Sequence, residues 1–292
     1  MLSNNVHQIA DKYINKANKE TQKDFQAGYI EIKKIMLEEF GKIDLKGNVE
    51  QKFADMEKYN RIETLSNKIT DILIMASING INRLNKVNAD IYIDTYNNEV
   101  KKANKSLKKA DIELSEIKKK QGKENAEETK TYFDKLAVDK VKTKAFINDK
   151  VKRALANGLQ ENITGLGIYA LVKKVAQSQL NEIATITDNQ GISVELKAVQ
   201  DVGEEIETKI DKKVIHTKTW ITERDSKVRP AHRQADGQTV LWKEYFTVGG
   251  EKLFRPKDPN GSAKNIINCR CWLQQNIKVE EDTTKGEEIY KR

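Results

Sequence analysis

The residues that could do chemistry gather in the last quarter of the chain. Both cysteines, Cys269 and Cys271, stand there one residue apart, with two of the three histidines, His216 and His232. Thiolate and imidazole are the donors a borderline-soft ion such as zinc takes, and His232 or His216, with Asp236 in reserve, could complete four ligands. The Cys269-Arg270-Cys271 spacing is tighter than that of most structural zinc sites, whose paired cysteines are separated by two or more residues. The competing reading is a pair of small thiols at the start of a strand, one facing in and one out. A disulfide across one residue is strained and is disfavoured in a reducing compartment.

His232 with Asp225 and Asp236 offers a general base and an orienting carboxylate, and Cys269 with His232 a thiol and its base. The enzyme those groups would make is a metal-dependent hydrolase or nuclease. No serine elbow or paired-glutamate motif accompanies them. The structural reading gives Asp225 to the turn at Asp225-Ser226-Lys227, Arg229 to a carboxylate partner and His232 to a loop hydrogen-bond network. Gly165-Leu166-Gly167 lacks the spacing and lysine of a phosphate loop, and Gly249-Gly250 reads as a hairpin turn. No organic cofactor is expected; zinc is the one ion the side chains suggest.

The same quarter holds the elements that must position these groups. All three tryptophans (Trp220, Trp242, Trp272) and all three prolines (Pro230, Pro256, Pro259) lie in it. Lys213–Thr222 alternates and is β-branched, which predicts a strand. Val240–Trp242, Glu244–Val248, Lys252–Phe254 and Cys271–Gln275 are further short strands, and Trp220, Trp242, Phe246, Phe254 and Trp272 are its expected core. The rest of the chain is Pro-free and rich in helix formers. Apolar residues at three- and four-residue steps predict helices over about Asn5–Phe40, from about Val49 past Ile81, Ala89–Lys120 and Glu127–Ala156, the last ended by Asn157-Gly158. Gly122–Glu128 reads as a hinge. Thr164 caps a short helix through Ala176, and Ser193–Ile206 forms another.

With 292 residues, 33% charged and 38% hydrophobic, the composition suits long solvated helices more than one thick core. The resulting fold class is α+β: an extended helical region over 1–157, a small mixed domain with short antiparallel strands over 158–279, and a polar tail over 280–292. The net charge of +8 permits contact with a polyanion without demanding it. Lys101, Lys102, Lys108, Lys109, Lys118, Lys119 and Lys120 are the candidate DNA-contacting side chains, and Lys142–Arg153 is a second such stretch. The first reading of Lys101–Lys123 is a solvated helix face, with phosphate contact the sharper alternative, and that stretch has no aromatic residue for base stacking. No secretory signal or membrane-length apolar run is expected, so a cytosolic, or cytosolically made, chain is predicted.

Taken in order, Trp220, Thr222, Asp225, Val228-Arg229-Pro230-Ala231-His232, Asp236-Gly237, Phe246, Val248-Gly249-Gly250, Pro256, Asp258-Pro259 and Asn268-Cys269-Arg270-Cys271 closely resemble the phage Mu F-like head morphogenesis family, the minor head proteins of tailed phages. The resemblance covers about Thr217–Leu273, and less distinctly the helix from about Gly158. Members often carry an Ala-Arg-Thr-Glu-like helix before the tryptophan strand; Val199–Ile210 here lacks it. The resemblance implies a virion protein in the head interior or at the portal vertex, without enzymatic activity. It implies the portal protein as partner, a major capsid or scaffold protein as a second, and contact with genomic DNA during packaging or ejection.

Overall fold

The computed structural model describes residues 7–41, 61–129, 132–161, 165–210 and 213–280. Its class is α+β. The helices are α1 (Gln8–Gly41), α2 (Arg61–Leu107), α3 (Lys119–Glu128), α4 (Tyr132–Lys142), α5 (Lys144–Gln160), α6 (Gly165–Lys209), α7 (Pro230–Ala235) and α8 (Ala263–Ile266). The strands are β1 (Val214–Ile221), β2 (Thr239–Leu241), β3 (Phe246–Val248), β4 (Glu251–Leu253) and β5 (Trp272–Val279).

These elements fall into two compact units that interleave along the chain. One takes the described residues of Met1–Tyr13, Asn88–Thr129 and Asn189–Arg292; the other takes those of Ile14–Val87 and Lys130–Asp188. Helices α1, α2 and α6 each give residues to both units.

The unit of Ile14–Val87 and Lys130–Asp188 is helical. Phe25, Ile32 and Met36 of α1, Leu65, Ile69 and Leu73 of α2, Val151 and Leu155 of α5, and Ile168 and Val172 of α6 form one buried cluster. Their steps of four and seven residues put each set on one face of its helix. In α2 the expected break between Ile81 and Ala89 does not occur. No proline or glycine falls between those residues, and the 47-residue helix runs through. A break comes instead at Thr143, which separates α4 from α5 and whose hydroxyl donates to Asp139 O at 2.8 Å. The start of the second expected helix and the Thr164 cap lie outside the described residues.

Two glycines read as breakers sit inside helices. A Cβ at Gly158 would lie 2.7 Å from Ile168, and one at Gly122 would lie 2.2 Å from Ile93. Their lack of a side chain lets another segment approach closely. Gly122 accordingly belongs to α3 rather than to a hinge, and α5 continues past Asn157-Gly158 to Gln160.

In the other unit, α2 ends at Leu107, short of the expected Lys120. A 3₁₀ turn follows, and Asp111 takes a left-handed conformation at φ 55°. The chain then returns along α2 in extended form. Asn104 accepts from Leu114 N–H at 2.8 Å and donates to Leu114 O at 3.0 Å; Asn97 does the same for Ile117 at 2.9 and 3.4 Å. Seven residues apart, the two amides share a helix face and stand in for a neighbouring strand. Tyr92 and Tyr96 of α2 donate to Asp201 and Glu205 of α6, a matched pair of four-residue steps.

The second half of α6 carries the sheet. This helix is continuous over 45 residues where two shorter pieces were expected, and Gly191–Leu196 is buried throughout. Cover on every side removes the amphipathic period that would have revealed the helix. The sheet order is β2-β1-β5, all antiparallel, with Trp220 opposite Leu273 and His216 opposite Ile277. Along β1 the alternate residues Val214, His216, Lys218 and Trp220 are buried. Gln275 of β5 donates to Val199 O of α6 at 3.0 Å. Trp242 fills the space above Gly203, where a Cβ would stand 2.0 Å from its ring. The β3–β4 hairpin turns at Gly249 and Gly250, both at positive φ, as a two-residue hairpin requires.

Candidate metal centre

The centre is built from α7 and the residues just before β5. Pro230 opens α7 at its first turn, where a missing N–H costs nothing. Gly237, at φ 80°, turns the chain back so that its N–H reaches Trp220 O at 2.8 Å. That short helix directs His232 inward, where it is 2% exposed. The edge-on rings of Trp220 and His232 lie 5.6 Å apart.

Cys269 and Cys271 are both buried, at 2% exposure each. The expectation of one thiol in and one out is corrected: side chains two residues apart on extended backbone share a face, so Arg270 alone points away. His232 Nδ1 stands 3.3 Å from Cys271 Sγ and 3.6 Å from Cys269 Sγ. One nitrogen and two sulfurs thus lie within 4.8 Å of one another. His232 Nε2 has no hydrogen-bond partner among the described residues.

The two thiols titrate as a pair. The hydrogen bond from Cys271, followed by His232 and the charge of Lys257, holds Cys269 well below the ordinary thiol range despite burial. The same hydrogen bond, burial and the neighbouring negative sulfur push Cys271 far up. One thiolate held by one thiol is the arrangement that results, since two like charges at this separation oppose each other.

The remaining candidates sit elsewhere. His216 is not in the cluster. Its Nδ1 is 2.9 Å from Glu207, its Nε2 is 3.3 Å from Gln275, and its ring stacks on Trp242 at 4.5 Å. Burial, only partly offset by Glu207, keeps its pKa low. Asp236 has both oxygens occupied: Oδ1 accepts from Thr222 N–H and Oδ2 from Arg224, each at 2.8 Å. Asp225 accepts twice from Arg270, at 2.8 Å each, and once from Lys227 N–H at 3.0 Å. The Arg270 hydrogen bonds hold its carboxyl below the ordinary range. Arg229 donates to Ile267 O, a main-chain carbonyl rather than a carboxylate. Asn268 takes a left-handed conformation at φ 56°, which asparagine tolerates, and Asn189 bonds both its N–H and its side chain.

Lys101, Lys102, Lys108, Lys109, Lys118, Lys119 and Lys120 are all exposed, but they do not form one helix face. Lys101 pairs with Glu116 at 3.4 Å and Lys102 with Glu99 at 2.6 Å. Lys108 and Lys109 lie in the 3₁₀ turn, and Lys118 directly precedes α3, of which Lys119 and Lys120 form the start.

Three buried polar groups were not anticipated. Lys218 donates to Phe254 O at 2.9 Å with its ammonium 3.0 Å from the centre of the Phe254 ring. Its place on the apolar face of an alternating strand was the available signal. Arg255 is buried and donates to Gln200, Pro256 O and Lys257 O. His7 lies 2.7 Å from Glu195 and 3.0 Å from Arg270 O, while Glu195 also accepts from Ala10 N–H at 3.0 Å. Nothing local in the sequence announces those pairings.

The chain ends in a small antiparallel module whose motif residues Asp225, Arg229, Asp236 and Arg270 bind turns and strand ends. Residues 145–274 match the family model described as Phage Mu protein F like protein. The match contains the residues Trp220 through Cys271 and supports the resemblance of this segment to the Mu F-like family. No curated protein and no solved structure matches the chain.

Proposed function

We propose that this chain is a structural minor head protein of a tailed phage, acting in head assembly at the portal vertex and carrying no catalytic activity. One observation supports the reading above the others: within the matched segment, the motif's charged residues are taken up by the fold. Asp225 and Arg270 bind each other, Asp236 holds Thr222 and Arg224, and Arg229 holds Ile267 O. Side chains engaged in this way fix a shape that a partner can bind.

The portal protein is the proposed partner, with a major capsid or scaffold protein as a second. Phage DNA is the proposed polyanion, contacted by the exposed lysines of Lys101–Lys120. The protein would be made in the host cytoplasm and retained in the virion. No described helix is long and apolar enough to cross a membrane. The test is to purify filled and empty heads and to co-express the chain with the portal protein of the same phage. Expected are its presence in both head preparations at a fixed ratio and its co-purification with portal. Heads that assemble, package and infect normally without the chain would overturn the reading.

A further inference from the structure

We infer that His232, Cys269 and Cys271 form a tetrahedral metal site for zinc or an ion of similar size and softness, clamping α7 to the chain just before β5. The geometry carries this. With Zn–S near 2.3 Å and Zn–N near 2.0–2.1 Å, a tetrahedral ion holds its sulfur and nitrogen ligands about 3.5 Å apart. The observed nitrogen–sulfur separations are 3.6 and 3.3 Å. All three donor atoms lie on side chains at least nine-tenths buried, and the one imidazole nitrogen that faces the sulfurs faces both of them.

The donor set selects the ion. Two thiolates and an imidazole suit zinc, whereas magnesium and calcium take oxygen ligands, which this cluster lacks. Three protein ligands leave a fourth position for water or another small donor. Asp236 does not fill it, since both its oxygens serve Thr222 and Arg224. The ligands are 37 and 39 residues apart in sequence, so the ion would act as a cross-link through the centre of the module. This inference stands apart from the portal proposal: either can fail while the other holds.

The experiment uses the full reduced chain, stripped of metal and titrated with Co²⁺ and then with Zn²⁺. Expected is one Co²⁺ per chain, with thiolate-to-cobalt charge-transfer bands and the intense visible bands of a tetrahedral ion, both displaced by one equivalent of Zn²⁺. C269S, C271S and H232Q should each weaken binding by more than the roughly 10–100-fold that loss of an outer-shell partner costs. H216Q should bind like the parent. Absence of charge-transfer bands in the folded, fully reduced parent chain would overturn the inference. That result needs no variant, so misfolding of a cysteine mutant cannot obscure it. Equal binding by H216Q and H232Q, or bands that survive in C269S and C271S, would also overturn it.

Discussion

Lys218 shows how a single residue can be decided by its surroundings. Its Nζ is buried among Phe254, Trp242 and Phe246 and donates to one carbonyl. Burial, only partly offset by Asp258 and nearby glutamates, lowers its pKa from 10.5 to about 7. Above 10.5 neither the folded nor the unfolded chain holds the proton. Between about 7 and 10.5 the unfolded chain holds it and the folded chain does not. Below about 7 both hold it, and the folded chain bears the full cost of the buried charge. Stability from this residue therefore rises with pH across that window. Lys218→Met should flatten the rise, measured as urea midpoints at a series of pH values; an unchanged slope in the variant would sink the assignment. His7 has the opposite sign. Burial pulls its pKa down, but the Glu195 hydrogen bond and charge and the Arg270 carbonyl leave it raised. Its contribution is greatest at low pH and fades as pH climbs through the raised value.

Among the elements, α6 is the piece on which the strand module is assembled. Gly203 is where Trp242 meets it, and a Cβ there would approach the ring to 2.0 Å. Alanine gains up to about 1 kcal/mol of helix propensity over glycine. Overpacking against a rigid, buried indole costs about 1–3 kcal/mol and should win. Gly203→Ala is therefore expected to lower stability by roughly 1–2 kcal/mol net, seen as a lower thermal midpoint and altered tryptophan fluorescence. A midpoint raised by the substitution would mean that the indole has another place to go.

At the scale of the whole molecule, the excess of positive charge is spread through many acids, and several of the candidate lysines are already paired. Lys118, Lys119 and Lys120 stand together at the start of α3 with exposed side chains. Replacing all three with glutamine should weaken DNA binding and reduce the log–log salt slope by about 0.9 for each duplex phosphate no longer neutralised. Fluorescence anisotropy on duplex DNA across a salt series measures both quantities. Identical slopes in parent and variant would remove this stretch from any DNA interface. The same substitution should leave thermal stability within about 0.5 kcal/mol, as exposed surface changes usually do.

Periodicity and turn chemistry located the strands of the module but not its short helices α7 and α8, and β5 runs on to Val279 past the expected Gln275. Alternation predicted β1, Gly249-Gly250 predicted the β3–β4 turn, and the ordered motif from Trp220 to Cys271 pointed to the family without any tertiary information. They were not enough for the helices, where Gly122 and Gly158 read as stops. A glycine that breaks a helix and one that admits a neighbour are the same letter, and only the neighbour distinguishes them. Nor could the buried stretch Gly191–Leu196 show a helical period once both faces were covered.

The sequence by itself determined which donor types exist and that Cys269 and Cys271 stand two apart. On extended backbone that spacing puts both on one face, because a strand repeats every two residues. Tertiary structure alone decided which histidine joins them. His216 and His232 are equivalent as letters, but β1 delivers the first to Trp242 and Glu207, while α7 delivers the second to within 3.6 Å of both sulfurs. The reason is long-range packing: the distance from His232 to the cysteines is set by how α7 and the start of β5 seat around Trp220, and no local sequence pattern encodes that distance.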